Sequence, residues 1–344
     1  MSSPTNSVVP LWEDAPAEDT RVGGELVATG EAANDADIRE IVESRPPSRL
    51  FSSLKWLALI ILIFAYPVSV LASHKISDKP IVLEDGVWAS TDIGIVSTLV
   101  SRELNQVGWA EDQAIWHPQA RLTALPAWQE GIISASSPWI QAVAVSTGND
   151  SDLLAASRLL TPTGELPTTP RLKAALEALE RYDSRLEGNF ASAISSDQYV
   201  ELSLDQSLVI AETARAKLRA ALDNTSVWPA TNQSIEAYFE AKAAAFVTYM
   251  RLTTMASSDV FSSSSDAALA LETATERWEK AARQKPLFVM NQSGDGILAA
   301  NHLAVMSFYL EDARRATEAL IDRTVDAETR DSDGSQTVES GSAP

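Results

Sequence analysis

Apolar residues recur every three or four positions along most of the chain after residue 90. One such stripe joins Ile93, Val96, Val100, Leu104 and Val107. Five more stripes follow, over residues 172–186, 204–222, 235–249, 269–281 and 298–320. This period is typical of an α-helix with one buried face. The pattern predicts an all-α helical bundle, formed by a domain over residues 80–325.

A charge-free apolar run precedes these stripes. Residues 56–72 read WLALIILIFAYPVSVLA, which is 17 residues, with Leu54 and Lys55 at its edge. A transmembrane helix needs about 20 apolar residues, and about 17 is the lower limit. A buried soluble helix is rarely apolar on every face for so long. We therefore expect a transmembrane signal anchor over residues 54–73, with the lipid bilayer as its partner.

A cleaved signal peptide is the competing interpretation of this run. Val70-Leu71-Ala72 ends in the small residue that a cleavage site needs. However, 55 residues precede the run, whereas a whole signal peptide has about 15–30 residues. This length favours an uncleaved anchor.

Basic residues on the two sides of the run predict its orientation. Four lie within about 20 residues before it, the distance over which the charge bias counts, and they are Arg39, Arg45, Arg49 and Lys55. Two, Lys75 and Lys79, lie between the run and Arg102. Lys and Arg are enriched on the cytoplasmic side of membrane helices. We therefore expect a single-pass protein with a cytoplasmic N-terminus and its main domain outside the cytoplasm.

The two ends of the chain have no sustained apolar period. Residues 1–50 contain ten acidic side chains, and residues 326–344 are rich in Ser, Gly and acids. Such compositions are typical of disordered segments. We expect an acidic disordered cytoplasmic tail over residues 1–50 and a disordered tail over residues 326–344.

Composition disfavours several classes of function. With 27 basic and 47 acidic residues, the net charge is −20, which disfavours binding of nucleic acid through its phosphates. The chain has no cysteine, which excludes disulfides, thiolate catalysis and cysteine-type zinc sites. Its three histidines form no metal-binding motif, and no nucleotide-binding or nucleophile motif is present. We predict no cofactor, no metal site and no nucleic-acid partner.

Three stretches of the sequence resemble a known bacterial family. They are residues 101–109 running on to 124–134, residues 235–249, and residues 301–310. Together they resemble domain-of-unknown-function family 2333, uncharacterised proteins with a single N-terminal membrane segment. The resemblance extends over residues 56–325. It implies a Gram-negative envelope protein with a mostly helical domain, and it assigns no catalytic residue. Together with the predicted anchor and its orientation, this predicts an inner-membrane protein whose helical domain is periplasmic.

Tryptophans cluster around one candidate carboxylate, Glu130. They are Trp109, Trp116, Trp128 and Trp139. Aromatic faces can line a sugar groove, and paired carboxylates cleave glycosidic bonds. Alternatively, these tryptophans form the core beneath an irregular segment. An open groove that joins Trp128, Glu130 and a second carboxylate would favour an enzyme.

Asn301 and His302 are the second pair of candidate residues. His302 lies on the apolar stripe of the last predicted helix, which we expect to begin near Gly296. A buried imidazole needs a hydrogen-bond partner, for which a backbone carbonyl or Asn291 is expected. If the pair were exposed instead, it would form a binding surface.

The favoured hypothesis is a non-enzymatic envelope protein that binds or scaffolds other envelope components, either proteins or glycan. The candidate binding residues are Trp109, Trp116, Trp128, Glu130, Asn301 and His302. One alternative is a glycan-active envelope enzyme that uses carboxylates near residues 109–139. Another is a small-molecule sensor, which would need a folded or motif-bearing cytoplasmic tail.

Overall fold

The protein is described by a computed structural model. It describes residues 48–72, 75–84, 86–224, 230–256, 261, 264–286, 288–292 and 301–339. Within these residues there are nine α-helices, and the β-structure is an isolated bridge between Asn291 and Asn301. The prediction of an all-α helical bundle is confirmed. The chain divides into two units, Met1–Leu57 and Ala58–Pro344.

Helix α1 spans Ser48–Ala72 and includes the whole charge-free run. The predicted acidic tail over residues 1–50 lies outside the described residues, except for the first three residues of α1. Within α1, Trp56, Ile60 and Phe64 are among the exposed apolar side chains. Across the described parts of the chain, we find no helix whose length and apolar character together suffice to cross a membrane.

Eight helices follow α1. They are α2 (Thr91–Arg102), α3 (Ala124–Ser146), α4 (Ser151–Leu160), α5 (Thr168–Glu187), α6 (Ser196–Leu222), α7 (Asn232–Met255), α8 (Ser265–Ala282) and α9 (His302–Glu339). A π-helical turn, Glu103–Val107, continues α2. The six predicted stripes fall on α2 and on α5 to α9, whereas α3 and α4 form where no stripe is evident.

Helix α7 is the central element of the second unit. It packs against α3, α6 and α8, while α9 packs against α6 and α8, and α4 joins α3 to α5. Every residue from Ala241 to Leu252 is buried. The sequence shows one apolar stripe here because the other faces carry alanine and polar residues. Only the surrounding helices bury these other faces.

Local side chains explain where several helices begin. Ser90, Asp150, Ser195, Thr231 and Ser264 each accept a hydrogen bond from a backbone N–H in the first turn of their helix. N–H groups in the first turn of a helix have no acceptor within the helix, and such capping side chains commonly supply one. Helix α5 is different, because Asp112 from a distant segment accepts from the N–H groups of Thr168 and Thr169.

The last helix is longer than the sequence predicts. Helix α9 continues to Glu339, into the range predicted as a disordered tail over residues 326–344. The apolar stripe ends near Leu320, but a helix that is already nucleated and packed gains one hydrogen bond for each residue it adds. Loss of the apolar period therefore does not mark the end of this helix. Residues 340–344 lie outside the described residues.

Candidate functional site

The fold separates the predicted tryptophan cluster into buried and exposed members. Trp109, Trp128 and Trp139 are buried, whereas Trp116 is 76% exposed. The segment around Trp128 and Trp139 is the regular helix α3, which differs from the irregular segment considered above. Because Trp128 is fully enclosed, its ring does not form the wall of an open groove beside Glu130.

Trp128 belongs to a buried polar network centred on Glu103. The indole N–H of Trp128 lies 3.4 Å from Glu103 Oε1, to which it donates, and Gln129 donates to Oε2 over 3.5 Å. Arg102 pairs with Glu103 at 3.2 Å. Burial raises the pKa of Glu103, although the charge of Arg102 and these hydrogen bonds oppose the rise. The network joins the end of α2 to α3.

A buried lysine lies against the same tryptophan. Lys242 Nζ is 5.7 Å from the ring centroid of Trp128 and 3.3 Å from Asp78 Oδ2. Burial lowers the pKa of Lys242, while the charge of Asp78 partly offsets this effect. Burial would raise the pKa of Asp78, but hydrogen bonds from Lys285 and Lys242 keep it below its usual value. The ion pair with Lys242 joins Asp78, in the segment before α2, to α7, and the pair with Lys285 joins it to the segment after α8.

Glu130 lies half-buried on α3, close to a second carboxylate. Burial raises its pKa, and the negative charges of Glu240 and Glu111 raise it further. A cavity of about 100 Å³ between α3, α6 and α7 includes Glu240 in its lining, but the described lining includes neither Glu130 nor Trp128. Glu240 also pairs with Lys217. The structure thus brings Glu130 near a carboxylate, without an aromatic wall from Trp128.

Asn301 and His302 stabilise the start of helix α9. The side-chain oxygen of Asn301 accepts from the N–H of Ala304 over 2.9 Å, which caps the helix. His302 is half-buried, and its Nδ1 accepts from the backbone N–H of Met290 over 3.0 Å. The partner of His302 is therefore a backbone amide, which corrects the expected carbonyl or Asn291. The predicted helix start near Gly296 lies outside the described residues, and the described helix begins at His302.

Asn291 has a different role from the one expected. Its side-chain nitrogen donates to the carbonyl of Ala221 over 3.0 Å, at the end of α6. His302 donates its own backbone N–H to the carbonyl of Met290 over 2.9 Å. These contacts link the segment before α9 to α6, which favours a structural role for His302.

We predict that His302→Ala lowers the free energy of unfolding by about 1–3 kcal/mol, because it leaves the Met290 N–H without its acceptor. His302→Asn should retain part of this stability, since an amide oxygen can accept from the same N–H. Chemical denaturation of the three proteins, with and without a chelator, checks this. A chelator that lowers the wild-type midpoint but not that of His302→Ala would indicate a metal ligand instead.

Sequence reasoning missed a buried arginine on the central helix. Arg251 is fully enclosed, and none of its three guanidinium nitrogens has a hydrogen-bond partner among the described residues. The guanidinium carbon lies 4.5 Å from the ring centroid of Trp139. Burial lowers the pKa of Arg251 to about 10, so the side chain stays charged at neutral pH. The available signal in the sequence was that Arg251 is the one charged residue between Lys242 and Asp259.

Asp92 and Tyr199 lie next to this arginine. Asp92 Oδ1 accepts a hydrogen bond from the hydroxyl of Tyr199 and lies 3.1 Å from Thr254 Oγ1. Burial raises the pKa of Asp92, and the charge of Arg251 and these hydrogen bonds oppose the rise. Burial and the negative charge of Asp92 also raise the pKa of Tyr199. The tyrosine is therefore a neutral hydrogen-bond donor at physiological pH.

A cavity of about 290 Å³ adjoins this group. It lies where the starts of α2 and α6 meet α3 and α5, and it is lined by residues that include Asp92, Trp139, Val143, Tyr182, Leu186 and Tyr199.

The described residues contain no group of three His, Asp or Glu side chains that could hold a metal ion. No family model, curated protein or solved structure matches this chain.

Proposed function

We propose that this protein is anchored in the bacterial inner membrane by residues 54–73 and binds or scaffolds envelope components through a periplasmic helical unit. Its N-terminus would lie in the cytoplasm. The observation that carries the proposal is the charge-free run over residues 56–72. That the chain belongs to domain-of-unknown-function family 2333, which it resembles, stays a prediction.

The exposed side chains of α1 support a lipid environment for this run. Leu57, Leu59, Ile60, Ile61 and Ile63 are all exposed along α1. Successive helix positions are about 100° apart, so these five residues lie on several faces of the helix. Contact of so much apolar surface with water is unfavourable, whereas acyl chains remove it from water. The length lies at the lower limit for a span, and Lys55 can extend it.

The burial of the charged networks supports binding in preference to catalysis. Glu103 and Lys242 are enclosed and paired, so a substrate in solution does not reach them. The predicted sugar groove has less support, because Trp128 is enclosed and Glu240 is paired with Lys217. The glycan-active enzyme and the sensor stay predictions.

An exposed apolar pair supports contact with a partner. Ile115 and Trp116 are adjacent, and their exposed fractions are 70% and 76%. Tryptophan is enriched at the centres of protein interfaces, where its large surface becomes buried. Of the six candidate binding residues, Trp116 is therefore the one best placed to meet an envelope component.

Reporter fusions test the anchor and its orientation. A reporter that is active only outside the cytoplasm should give signal when fused after Arg323 and none when fused after Arg45. The full chain should also stay in the membrane fraction after alkaline carbonate extraction. The reverse pattern of reporter signal would invert the orientation, and release by carbonate would contradict the anchor. A mature chain that begins at Ser73 would show cleavage.

Binding is tested by substituting the exposed tryptophan. We expect Trp116→Ser to remove the envelope components that co-purify with the full chain from native membranes. Phe190→Ser is the matched control, because Phe190 is an aromatic residue that is 83% exposed elsewhere on the helical unit. Equal recovery of the same components with both variants would show that Trp116 is not part of the binding surface.

A further inference from the structure

The segment that follows the charge-free run is packed against the helices that come after it. Residues 75–84, which we call the strap, form neither a helix nor a strand. Three of its side chains are half-buried and pack against the apolar core; they are Ile76, Ile81 and Leu83. The strap is therefore part of the folded helical unit and is not a free tether.

Buried ion pairs fix the middle of the strap. Asp78 is buried, and its carboxylate oxygens lie 3.3 Å from Lys242 Nζ and 3.0 Å from Lys285 Nζ. The next residue is held as well, because the carbonyl of Lys79 accepts a hydrogen bond from Arg102 over 3.4 Å. Release of Asp78 would leave the buried charge of Lys242 without its partner, which is strongly unfavourable. Asp78 is thus a fixed point between the strap and α7.

The length of chain between the run and this fixed point limits their separation. The predicted anchor ends at residue 73, five residues before Asp78. An extended chain covers at most about 3.6 Å for each residue, so Asp78 lies within about 18 Å of the end of the anchor. The headgroup layer on each side of a bilayer is about 5–8 Å thick. An anchor that spans the membrane therefore holds the strap, and the side chains beside it, at the membrane surface.

The exposed side chains around Asp78 suit a lipid surface. Lys75, Lys79 and Lys285 are exposed. Val82 lies between two residues that pack against the core, and it is itself 89% exposed. Phe288, which is 56% exposed, follows Lys285 by three residues. Lysine side chains reach headgroups over their apolar stems, and apolar side chains enter the boundary between headgroups and acyl chains.

The charge near the run is opposite in sign to that of the whole chain, whose net charge is −20. Residues 73–83 contain one acidic residue, Asp78, and it is buried and paired. The first exposed acidic residue after the run is Glu84. Basic side chains therefore stand closest to the headgroup phosphates, which attract them. A protein partner would have to enter the narrow space between this surface and the bilayer, so the bilayer is the favoured occupant.

We infer that the surface formed by Lys75, Lys79, Val82, Lys285 and Phe288 rests on the bilayer that holds the anchor. The lysines contact headgroup phosphates, while Val82 and Phe288 enter the boundary between headgroups and acyl chains. The strap thereby gives the helical unit a fixed orientation at the membrane. The inference rests on the anchor proposed above, and the experiment distinguishes the failure of one from the failure of the other.

Single cysteines test this surface, because the chain has none and each introduced thiol carries one spin label. The labelled variants are Ile61→Cys, Val82→Cys, Phe288→Cys and Phe190→Cys, each as the full chain in nanodiscs of phosphatidylethanolamine and phosphatidylglycerol. Electron paramagnetic resonance compares the accessibility of each label to oxygen, which concentrates in lipid, and to a nickel chelate, which stays in water. Circular dichroism checks that each variant is folded.

We expect the oxygen-to-nickel ratio at residues 82 and 288 to lie between the high ratio at residue 61 and the low ratio at residue 190. Phe190 is the matched control, because it is an aromatic residue that is 83% exposed elsewhere on the helical unit. The result at residue 288 is decisive, since this residue is far from the anchor along the chain and meets lipid only through the packed strap.

The same labels separate the two ways in which the inference can fail. A ratio at residue 82 or 288 as low as that at residue 190, with a high ratio at residue 61, overturns the inference and leaves the anchor standing. A high ratio at residue 190 also overturns it, because the orientation would not be fixed. A low ratio at residue 61 overturns the anchor and, with it, the inference.

A variant of the strap tests whether the buried ion pairs hold the surface at the bilayer. Asp78→Asn removes the charge that pairs with Lys242 and Lys285, so the ratio at residue 288 should fall toward that at residue 190. Asp205→Asn is the matched control, because Asp205 is exposed on α6, and it should leave the ratio unchanged. An unchanged ratio in folded Asp78→Asn would contradict the role of the strap. If Asp78→Asn does not fold, the label comparison in the otherwise unchanged chain still decides.

Discussion

Trp128→Ala is expected to lower the free energy of unfolding by about 3–5 kcal/mol, which is the usual cost of removing a fully buried aromatic side chain. The substitution leaves a cavity between α3 and α7, where Trp128 contacts Phe246 at a ring-centroid distance of 5.6 Å. It also removes the indole N–H that donates a hydrogen bond to Glu103. Denaturant titration of the full chain in detergent, followed by far-ultraviolet circular dichroism, measures the loss.

Trp116→Ala is the matched control for this substitution. Trp116 is exposed, so its removal should change the free energy of unfolding by no more than about 0.5 kcal/mol. The two results together distinguish a core tryptophan from a surface tryptophan. Similar small changes at both positions would show that Trp128 is not enclosed and would support an open groove beside Glu130.

Gly131→Leu is expected to lower the free energy of unfolding by about 3 kcal/mol or more, because it forces α3 and α7 apart. A Cβ atom at Gly131 would lie 2.7 Å from the Cβ of Ala243 and 2.8 Å from the Cα of Glu240. The second of these atoms belongs to the backbone, so it moves only if the whole helix moves. Denaturation of the full chain measures this effect as well.

A graded series separates the close helix approach from helix propensity. Gly131→Ala should cost about 1–3 kcal/mol, although alanine is the better helix former by about 1 kcal/mol. Gln141→Ala, at an exposed position of the same helix, should be close to neutral. If Gly131→Ala stabilised the protein, propensity would outweigh the contact, and the two helices would not approach so closely.

Helix α3 shows why part of the fold could not be predicted. Its sequence contains Gly131, Pro138 and several serines, which have low helix propensity, and it has no single apolar stripe. The helix forms because its neighbours bury it on most faces. The hydroxyl of Ser136 donates a hydrogen bond to the carbonyl of Ile132, and that of Ser137 donates to the carbonyl of Ser157. Tertiary enclosure thus outweighs local preference.

The sequence alone was sufficient for the six helices that carry an apolar stripe, because a period of about 3.6 residues is a local property of the chain. It was sufficient also for the acidic charge, for the absence of cysteine chemistry and for the charge-free run over residues 56–72. Only the tertiary structure decided which polar residues share a site. Arg251, Trp139 and Asp92 come from three helices far apart in the sequence, and no spacing along the chain encodes their contact. Likewise, Trp116 and Trp128 look alike in the sequence, and only the packing of α3 against α7 encloses one and leaves the other exposed.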